Sequence, residues 1–133
     1  MSEATTTTEQ PPFVAEEGVV PLGVIPASTA YMPATAQAYF AAVSAAGVLV
    51  KGGPHALSAS PLGPPGLYQV LFDHDVTTSA YIGTIGLTGS SGESPAGMIS
   101  VVGRAGAPNG VFVQTFSAAG APTDLAFHLA VLS

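Results

Sequence analysis

The sequence predicts a mainly β protein: an antiparallel β-sandwich or jelly-roll-like domain, preceded by an extended arm and one short α-helix. Two observations predict the β domain. Short runs rich in β-branched and aromatic residues recur from Val48 onward, and glycine and proline separate each run from the next. Within the later runs, side chains of different character alternate with the period of two that a strand requires. The chain therefore divides into an arm over residues 1–32, a helix over 33–47 and a sandwich over 48–133.

Six runs are predicted to be strands, and in two of them the residues separate into two distinct faces. In the last run, Phe127, Leu129 and Val131 share one face, which we expect to be the core face. In the fifth, Val111, Val113 and Thr115 separate from a Phe/Gln/Phe face. The runs are Val48–Lys51, Leu67–Phe72, Ala80–Ile85, Met98–Val102, Val111–Phe116 and Ala126–Leu132.

A contact between subunits is predicted on the second face of the last strand. His128, Ala130 and Leu132 alternate with the core residues, and this outer face is small and still rather apolar. An apolar outer face is more typical of a surface covered by another subunit than of one in water. These three residues are therefore candidate interface residues.

The helix is predicted over Pro33–Gly47, which is rich in alanine. Proline suits the first helical position, and glycine suits the left-handed residue just past the end. Helical spacing places Tyr39, Phe40 and Val43 on one side, while small residues cover most of the remaining surface. We expect these three side chains to contact a neighbouring subunit.

The arm contains prolines at 11, 12, 21 and 26, which prevent a continuous helix or central strand. Two interpretations remain open: an arm that becomes ordered against a partner, or a flexible tail with local packing. Its apolar groups favour the first, because a solvated linker has no use for them. The candidate docking residues are Phe13, Val14, Val19, Val20, Leu22, Val24 and Ile25.

Charge is scarce, and this excludes several classes of function. The chain has 2 basic and 8 acidic residues, and only 8% of it is charged, where about a quarter is usual. A net charge of −6 disfavours nucleic acid and anionic lipid as partners. Glycine and proline interrupt every apolar run before the ~20 residues of a membrane span. So few charges favour a surface covered by copies of the chain or by a larger assembly.

Cellular location is predicted from the amino terminus and from cysteine usage. Residues 1–10 lack the basic and apolar regions of a secretory signal, so we expect the chain to stay in the cytosol unless it leaves within a particle. There is no cysteine for a disulfide, a thiol nucleophile or a thiolate metal site.

Candidate chemistry is sparse, and each instance has a structural alternative. Asp73 and Asp75 could share a cation with His74 pointing away, but a strand end whose aspartates cap a turn is favoured. His128 could act with Asp124 and a serine, but no nucleophile elbow is present, so a hydrogen-bonded interface histidine is favoured. We therefore expect no enzyme activity, no metal and no cofactor.

The lone arginine is expected to be structural. Arg104 precedes a turn at Asn109-Gly110 that is predicted to require a positive φ. It could bind a ligand carboxylate, but an ion pair within the chain is favoured. The candidate partners are Asp73, Asp75 and Asp124.

About half of the chain resembles a domain that recurs in proteins of actinobacteria and their phages. The resemblance covers Gly66–Leu132 and rests on GLYQVLFDHDVTTSAYIGTIG and GMISVVGRAGAPNGVFVQTFSAAGAPTDLAFHLAVL. The domain often ends longer chains, including fibre-like and collagen-containing virion proteins. Relatives often carry cysteine where this chain has Ser79 and Ser133, and the missing pair suits assembly in a reducing cytosol.

The resemblance and the scarcity of charge together predict a phage virion structural protein, either a capsid decoration protein or a head-fibre protein. We expect a homotrimer, by analogy with fibre-tip domains, assembled in the host cytoplasm. The arm would dock on the major capsid protein or another virion protein. The alternative is a glycan- or receptor-binding tip module of a tail or head appendage, with Tyr68 and Tyr81 as its sugar platform.

Overall fold

The computed structural model describes residues 10–14 and 38–132, and within them the chain forms two four-stranded antiparallel sheets. We call the sheet with strand order β2-β1-β8-β5 the front sheet and the one with order β3-β4-β7-β6 the back sheet. The strands are β1 Ala38–Val43, β2 Leu49–Gly52, β3 Ala56–Pro61, β4 Leu67–Phe72, β5 Ala80–Ile85, β6 Gly97–Gly103, β7 Gly110–Ser117 and β8 Phe127–Leu132. None of the described residues belongs to a helix able to cross a membrane.

The two sheets bury one hydrophobic cluster, which makes the fold sandwich-like. Every second residue of the central strands enters it, as the strand period requires. The front sheet contributes Tyr39, Ala41, Val43, Phe127, Leu129 and Val131. The back sheet contributes Tyr68, Val70, Phe72, Val111 and Val113, and Val76 of the β4–β5 connection completes the cluster.

The six predicted strands are confirmed, two of them with the bounds predicted from the sequence. The predicted core face of β8 and the predicted separation of the two faces of β7 are confirmed as well. Phe127, Leu129 and Val131 are at most 2% exposed. The inner face of β7 carries Val111, Val113 and Thr115, each 0% exposed.

The predicted helix over Pro33–Gly47 is wrong from Ala38 onward, where the chain forms β1; residues 33–37 lie outside the described residues. Alanine's helix preference is weak, and pairing of β1 with both β2 and β8 overrides it. Gly47 does adopt a positive φ of 87°. It does so in the β1–β2 turn, where its N–H donates to the Ser44 carbonyl at 2.8 Å.

Strand β3 was not predicted. Its sequence, ALSASP, lacks the aromatic and β-branched residues of the other strands and ends in proline. Within the described part of the chain, it lies at the edge of the back sheet and pairs with β4 alone. Proline and small polar residues are tolerated at such an edge, because one side of the strand makes no ladder.

Tyr68 fastens the core to the β1–β2 turn. Its side chain is 0% exposed, and its hydroxyl donates a hydrogen bond to the Ala45 carbonyl at 2.7 Å. Its ring lies 5.2 Å from that of Phe127. Burial raises the pKa of the Tyr68 hydroxyl to about 12, and the Asp124 carboxylate adds to the rise because it disfavours a second negative charge.

Replacing Tyr68 with phenylalanine is expected to reverse the order of stability between neutral and alkaline pH. Folding raises the pKa of Tyr68 from 10.0 to about 12. Its contribution to the free energy of unfolding is therefore complete below pH 10 and is lost as the pH rises through 12. At about pH 11.5 ionisation of this group has lowered the free energy of unfolding of the wild type by about 2 kcal/mol. At pH 7 Tyr68→Phe costs about 1 kcal/mol for the missing hydrogen bond.

Urea unfolding of both proteins at pH 7 and at about pH 11.5 measures this difference. We expect the wild type to be the more stable at pH 7 and the variant to be the more stable at the alkaline pH. An unchanged difference at the two pH values would contradict the raised pKa.

Candidate functional site

Two rows of the outer face of the front sheet are apolar, and we call their residues Phe40, Ala130, Ile82, Ala38, Leu132 and Ala80 the front face. They form two rows across β1, β8 and β5, because Ala130 pairs with both Phe40 and Ile82, and Leu132 pairs with both Ala38 and Ala80. Phe40 is 52% exposed and Ile82 is 58% exposed. Neither row contains a charged side chain.

The front face includes three of the six predicted interface residues: Phe40, Ala130 and Leu132. His128 lies in the next row, opposite Thr84, and its Nε2 is 2.9 Å from the Leu87 carbonyl oxygen. Sequence reasoning missed Ile82, although the alternation of the predicted strand Ala80–Ile85 could have placed it.

The other two predicted interface residues, Tyr39 and Val43, are in the core, so their assignment to a subunit contact is wrong. They are 8% and 0% exposed. The physical reason is the strand period, which sends them to the side opposite Phe40.

A described segment of the arm, residues 10–14, lies against the back sheet and is held by Arg104. The guanidinium donates hydrogen bonds to the Gln10 side-chain oxygen at 3.0 Å and to the carbonyls of Pro11 and Pro12 at 2.5 and 3.2 Å. Its Nε donates to the side-chain oxygen of Gln69 of β4 at 2.7 Å. One arginine therefore joins the arm to the sheet.

Gln10 binds both sides of this junction. Its side-chain oxygen also accepts a hydrogen bond from the Ala105 backbone N–H at 2.8 Å, and its side-chain amide donates to the Gly103 carbonyl at 2.9 Å. The Arg104 guanidinium carbon lies 5.6 Å from the centre of the Phe13 ring and 6.0 Å from that of Phe112. Arginine between aromatic rings combines burial of the stem with cation–π attraction.

The predicted ion pair of Arg104 with Asp73, Asp75 or Asp124 is wrong. Among the described residues, its hydrogen-bond partners are neutral amide and carbonyl oxygens. Arg104 is only 4% exposed, and burial lowers the pKa of its guanidinium. In the turn that follows, the glycine with a positive φ is Gly106, at 85°, rather than the expected Gly110.

The predicted docking residues divide into two groups. Phe13 is half-buried on this chain's own β domain, while Val14 is 75% exposed. The others, Val19, Val20, Leu22, Val24 and Ile25, lie outside the described residues.

A polar cluster of His55, Asp73 and His74 lies at the end of the β3–β4 pair. The Asp73 carboxylate is 2.9 Å from His55 Nδ1 and 2.8 Å from His74 Nδ1. Burial raises the pKa of Asp73, but the hydrogen bonds from His74 and His55 outweigh it and leave the pKa below its ordinary value. The structure thus adds His55, which no sequence pattern indicated.

The alternative in which Asp73 and Asp75 share one cation is wrong. Asp75 instead caps a turn, because its carboxylate accepts hydrogen bonds from the backbone N–H and the hydroxyl of Thr77 at 2.8 and 2.6 Å. This confirms the favoured interpretation for Asp75. His74 does not point away, since it contacts the carboxylate of Asp73.

The two candidate sugar-platform tyrosines are poorly placed for a ligand. Tyr68 is fully buried, so its assignment to an exposed platform is wrong. Tyr81 is half-buried, and its hydroxyl donates to the Val76 carbonyl at 2.5 Å.

The candidate catalytic pair of His128 and Asp124 bind different partners. Asp124 accepts a hydrogen bond from the Gly66 N–H at 2.6 Å. His128 Nε2 lies 2.9 Å from the Leu87 carbonyl oxygen.

No protein-family model, curated protein or solved structure matches this chain.

Proposed function

We propose that this protein is a structural component of a phage virion, a capsid decoration or head-fibre protein that assembles as a homotrimer through its β domain. The observation that carries the proposal is the front face. It places two large apolar side chains, Phe40 and Ile82, more than half exposed within rows that hold no charge. Contiguous exposed apolar surface of this kind is typical of interaction sites.

The composition supports a partner that is a copy of the same chain. With 8% charged residues, the chain offers few charges to keep an apolar face soluble by itself. Burying the front face against copies removes its apolar area from water and requires no complementary charge, because neither row contains one. Three copies are proposed by analogy with fibre-tip domains, because the domain that Gly66–Leu132 resembles often ends fibre-like virion proteins.

The arm supports a second contact on the other side of the sandwich. Residues 10–14 lie by Arg104 and Gln69 of the back sheet, whereas the front face belongs to the opposite sheet. Subunit contacts and arm contacts therefore need not compete for one surface. We propose that the major capsid protein or another virion protein binds the arm at the apolar residues from Val19 to Ile25.

Light scattering combined with size-exclusion chromatography tests the assembly, and the full chain is expected to elute as a trimer over a range of concentrations. A monomer at every concentration would overturn self-assembly. Peptide mass spectrometry of gradient-purified particles tests the virion assignment. We expect the chain at a fixed ratio to the major capsid protein, and its absence from particles whose host lysate contains it would overturn that assignment.

A further inference from the structure

We propose that His55, Asp73 and His74 form a binding site for one divalent transition-metal ion, Zn²⁺ being the ion that fits their chemistry. The three side chains offer two imidazole nitrogens and a carboxylate oxygen that lie within 4.8 Å of one another. Two histidines and one carboxylate are a donor set that Zn²⁺ accepts with a fourth position open. This inference does not depend on the proposed function.

The spacing of the donor atoms suits a metal ion at their centre. His55 Nδ1 lies 2.9 and 3.2 Å from the two Asp73 oxygens, and His74 Nδ1 lies 2.8 Å from one of them. Ligands about 2 Å from a tetrahedral ion lie about 3.3 Å from each other. The imidazole–carboxylate distances therefore need to widen by about half an ångström, while the two imidazole nitrogens, which lie within 4.8 Å of each other, need to move closer together.

The fold holds the donors in place from both sides. His55 precedes β3, and Asp73 and His74 follow β4, so the pairing of Ala56 with Phe72 brings the two segments together. The Asp73 backbone N–H also donates to the His55 carbonyl at 3.0 Å. The donor atoms are thus positioned by backbone pairing as well as by their own hydrogen bonds.

An unpaired ring nitrogen of His74 favours a metal ion on the other ring nitrogen. His74 is 3% exposed, and its Nε2 is buried with no hydrogen-bond partner among the residues that the structure describes. When Nδ1 donates its proton to Asp73, Nε2 is an unpaired acceptor, which is costly in the interior. A metal ion on Nδ1 moves the proton to Nε2, and an N–H is better accommodated among the aromatic rings that surround it.

Those rings are Tyr39 and Phe72, whose centres lie 4.2 and 6.3 Å from the centre of the His74 ring. Tyr39 also packs edge-on against His55, with the ring centres 4.8 Å apart. These contacts fix the orientation of both imidazoles. The side chain of His55 is 46% exposed, which gives the ion a route from solvent and leaves room for water as a fourth ligand.

Isothermal titration of tag-free, full-length protein with ZnCl₂ tests the site. We expect one ion per chain and a melting temperature that rises with zinc concentration and returns on chelation, because the ion binds only the folded protein. His55→Ala is expected to weaken binding by at least about 10-fold. Asp75→Asn is the matched control, since it alters a neighbouring acid outside the cluster and should bind zinc as the wild type does.

Two outcomes would overturn the site: no binding at zinc concentrations up to about 100 μM, or equal affinity in His55→Ala and the wild type. Circular dichroism of the metal-free variant checks that it is folded. A measurement on the wild type alone removes any dependence on the variant. Paramagnetic Co²⁺ should shift the ring NMR signals of His55 and His74 and leave those of His128 in place, and the reverse pattern would also overturn the proposal.

Discussion

Replacing Ile82 with glutamate is expected to convert the proposed trimer into a monomer. Ile82 is 58% exposed and lies in the middle of the outer side of β5, in the row with Ala130 and Phe40. In an assembled front face it would be covered, so a carboxylate there would lose its water without gaining a partner. That cost is several kcal/mol per buried charge, and the symmetry of a trimer imposes it three times.

The fold of the single chain should hardly change, because the side chain of Ile82 lies on the outer face of the sheet and not in the core. A surface substitution of this kind usually alters the free energy of unfolding by less than about 0.5 kcal/mol. Light scattering gives the mass, and urea unfolding of the monomeric variant shows that it is folded. The loss of mass can then be assigned to the interface.

Met98→Glu is the matched control for this experiment. Met98 is also a large apolar residue on an edge strand, 48% exposed, but it belongs to β6 of the back sheet. The Met98→Glu substitution adds the same charge to the opposite side of the sandwich, and we expect the proposed trimer to persist. An Ile82→Glu protein that remains trimeric, or a Met98→Glu protein that dissociates, would contradict the assignment of the interface to the front face.

Strands with a strong local signal could be predicted from the sequence. Leu67–Phe72 and Ala80–Ile85 have the predicted bounds because β-branched and aromatic residues fill them and turn residues bound them. The error over Ala38–Val43 has a definite cause. Its residues satisfy both a helical spacing and a strand alternation, and only the pairing with β2 and β8, which is not local, decides between them.

The candidate interface was partly predictable, because alternation within one strand already separates its two faces. That reasoning found Ala130 and Leu132 from the last strand alone. It did not connect them to Ile82, because the strand order of the sheet decides that β5 lies beside β8. Once this strand order is known, the outward-facing residues of β1, β8 and β5 together define the front face.

The two polar clusters could not be predicted, because their members are distant in sequence. His55 and Asp73 are 18 positions apart and meet only through the register of β3 and β4, and β3 itself was missed. Gln10 and Arg104 are 94 positions apart. The sequence favours a carboxylate partner for Arg104, yet its partners among the described residues are backbone carbonyls and side-chain amides, which no sequence pattern marks.

Arg104→Met is expected to destabilise the protein by about 3 kcal/mol and to release residues 10–14 from the back sheet. Methionine keeps much of the aliphatic volume beside Phe112 but donates no hydrogen bond. Four hydrogen bonds to Gln10, Pro11, Pro12 and Gln69 are lost together. Hydrogen bonds from a charged donor are worth about 1.5 to 3 kcal/mol each, and an acceptor left buried without a donor costs about 1 to 3 kcal/mol. Removal of the desolvated guanidinium offsets part of this loss, because no buried charge is left behind.

Lys51→Met is the matched control, because Lys51 is the only other basic residue of the chain and is exposed on β2. Each variant removes one positive charge, so a general effect of net charge would appear in both. Urea unfolding should show a large loss of stability for Arg104→Met and a change within about 0.5 kcal/mol for Lys51→Met. Hydrogen exchange at the Ala105 amide, which donates to Gln10, should accelerate only in Arg104→Met. Equal stability in the two variants, or an Ala105 amide that stays protected in Arg104→Met, would mean that the arm is held by its aromatic and proline contacts rather than by the guanidinium.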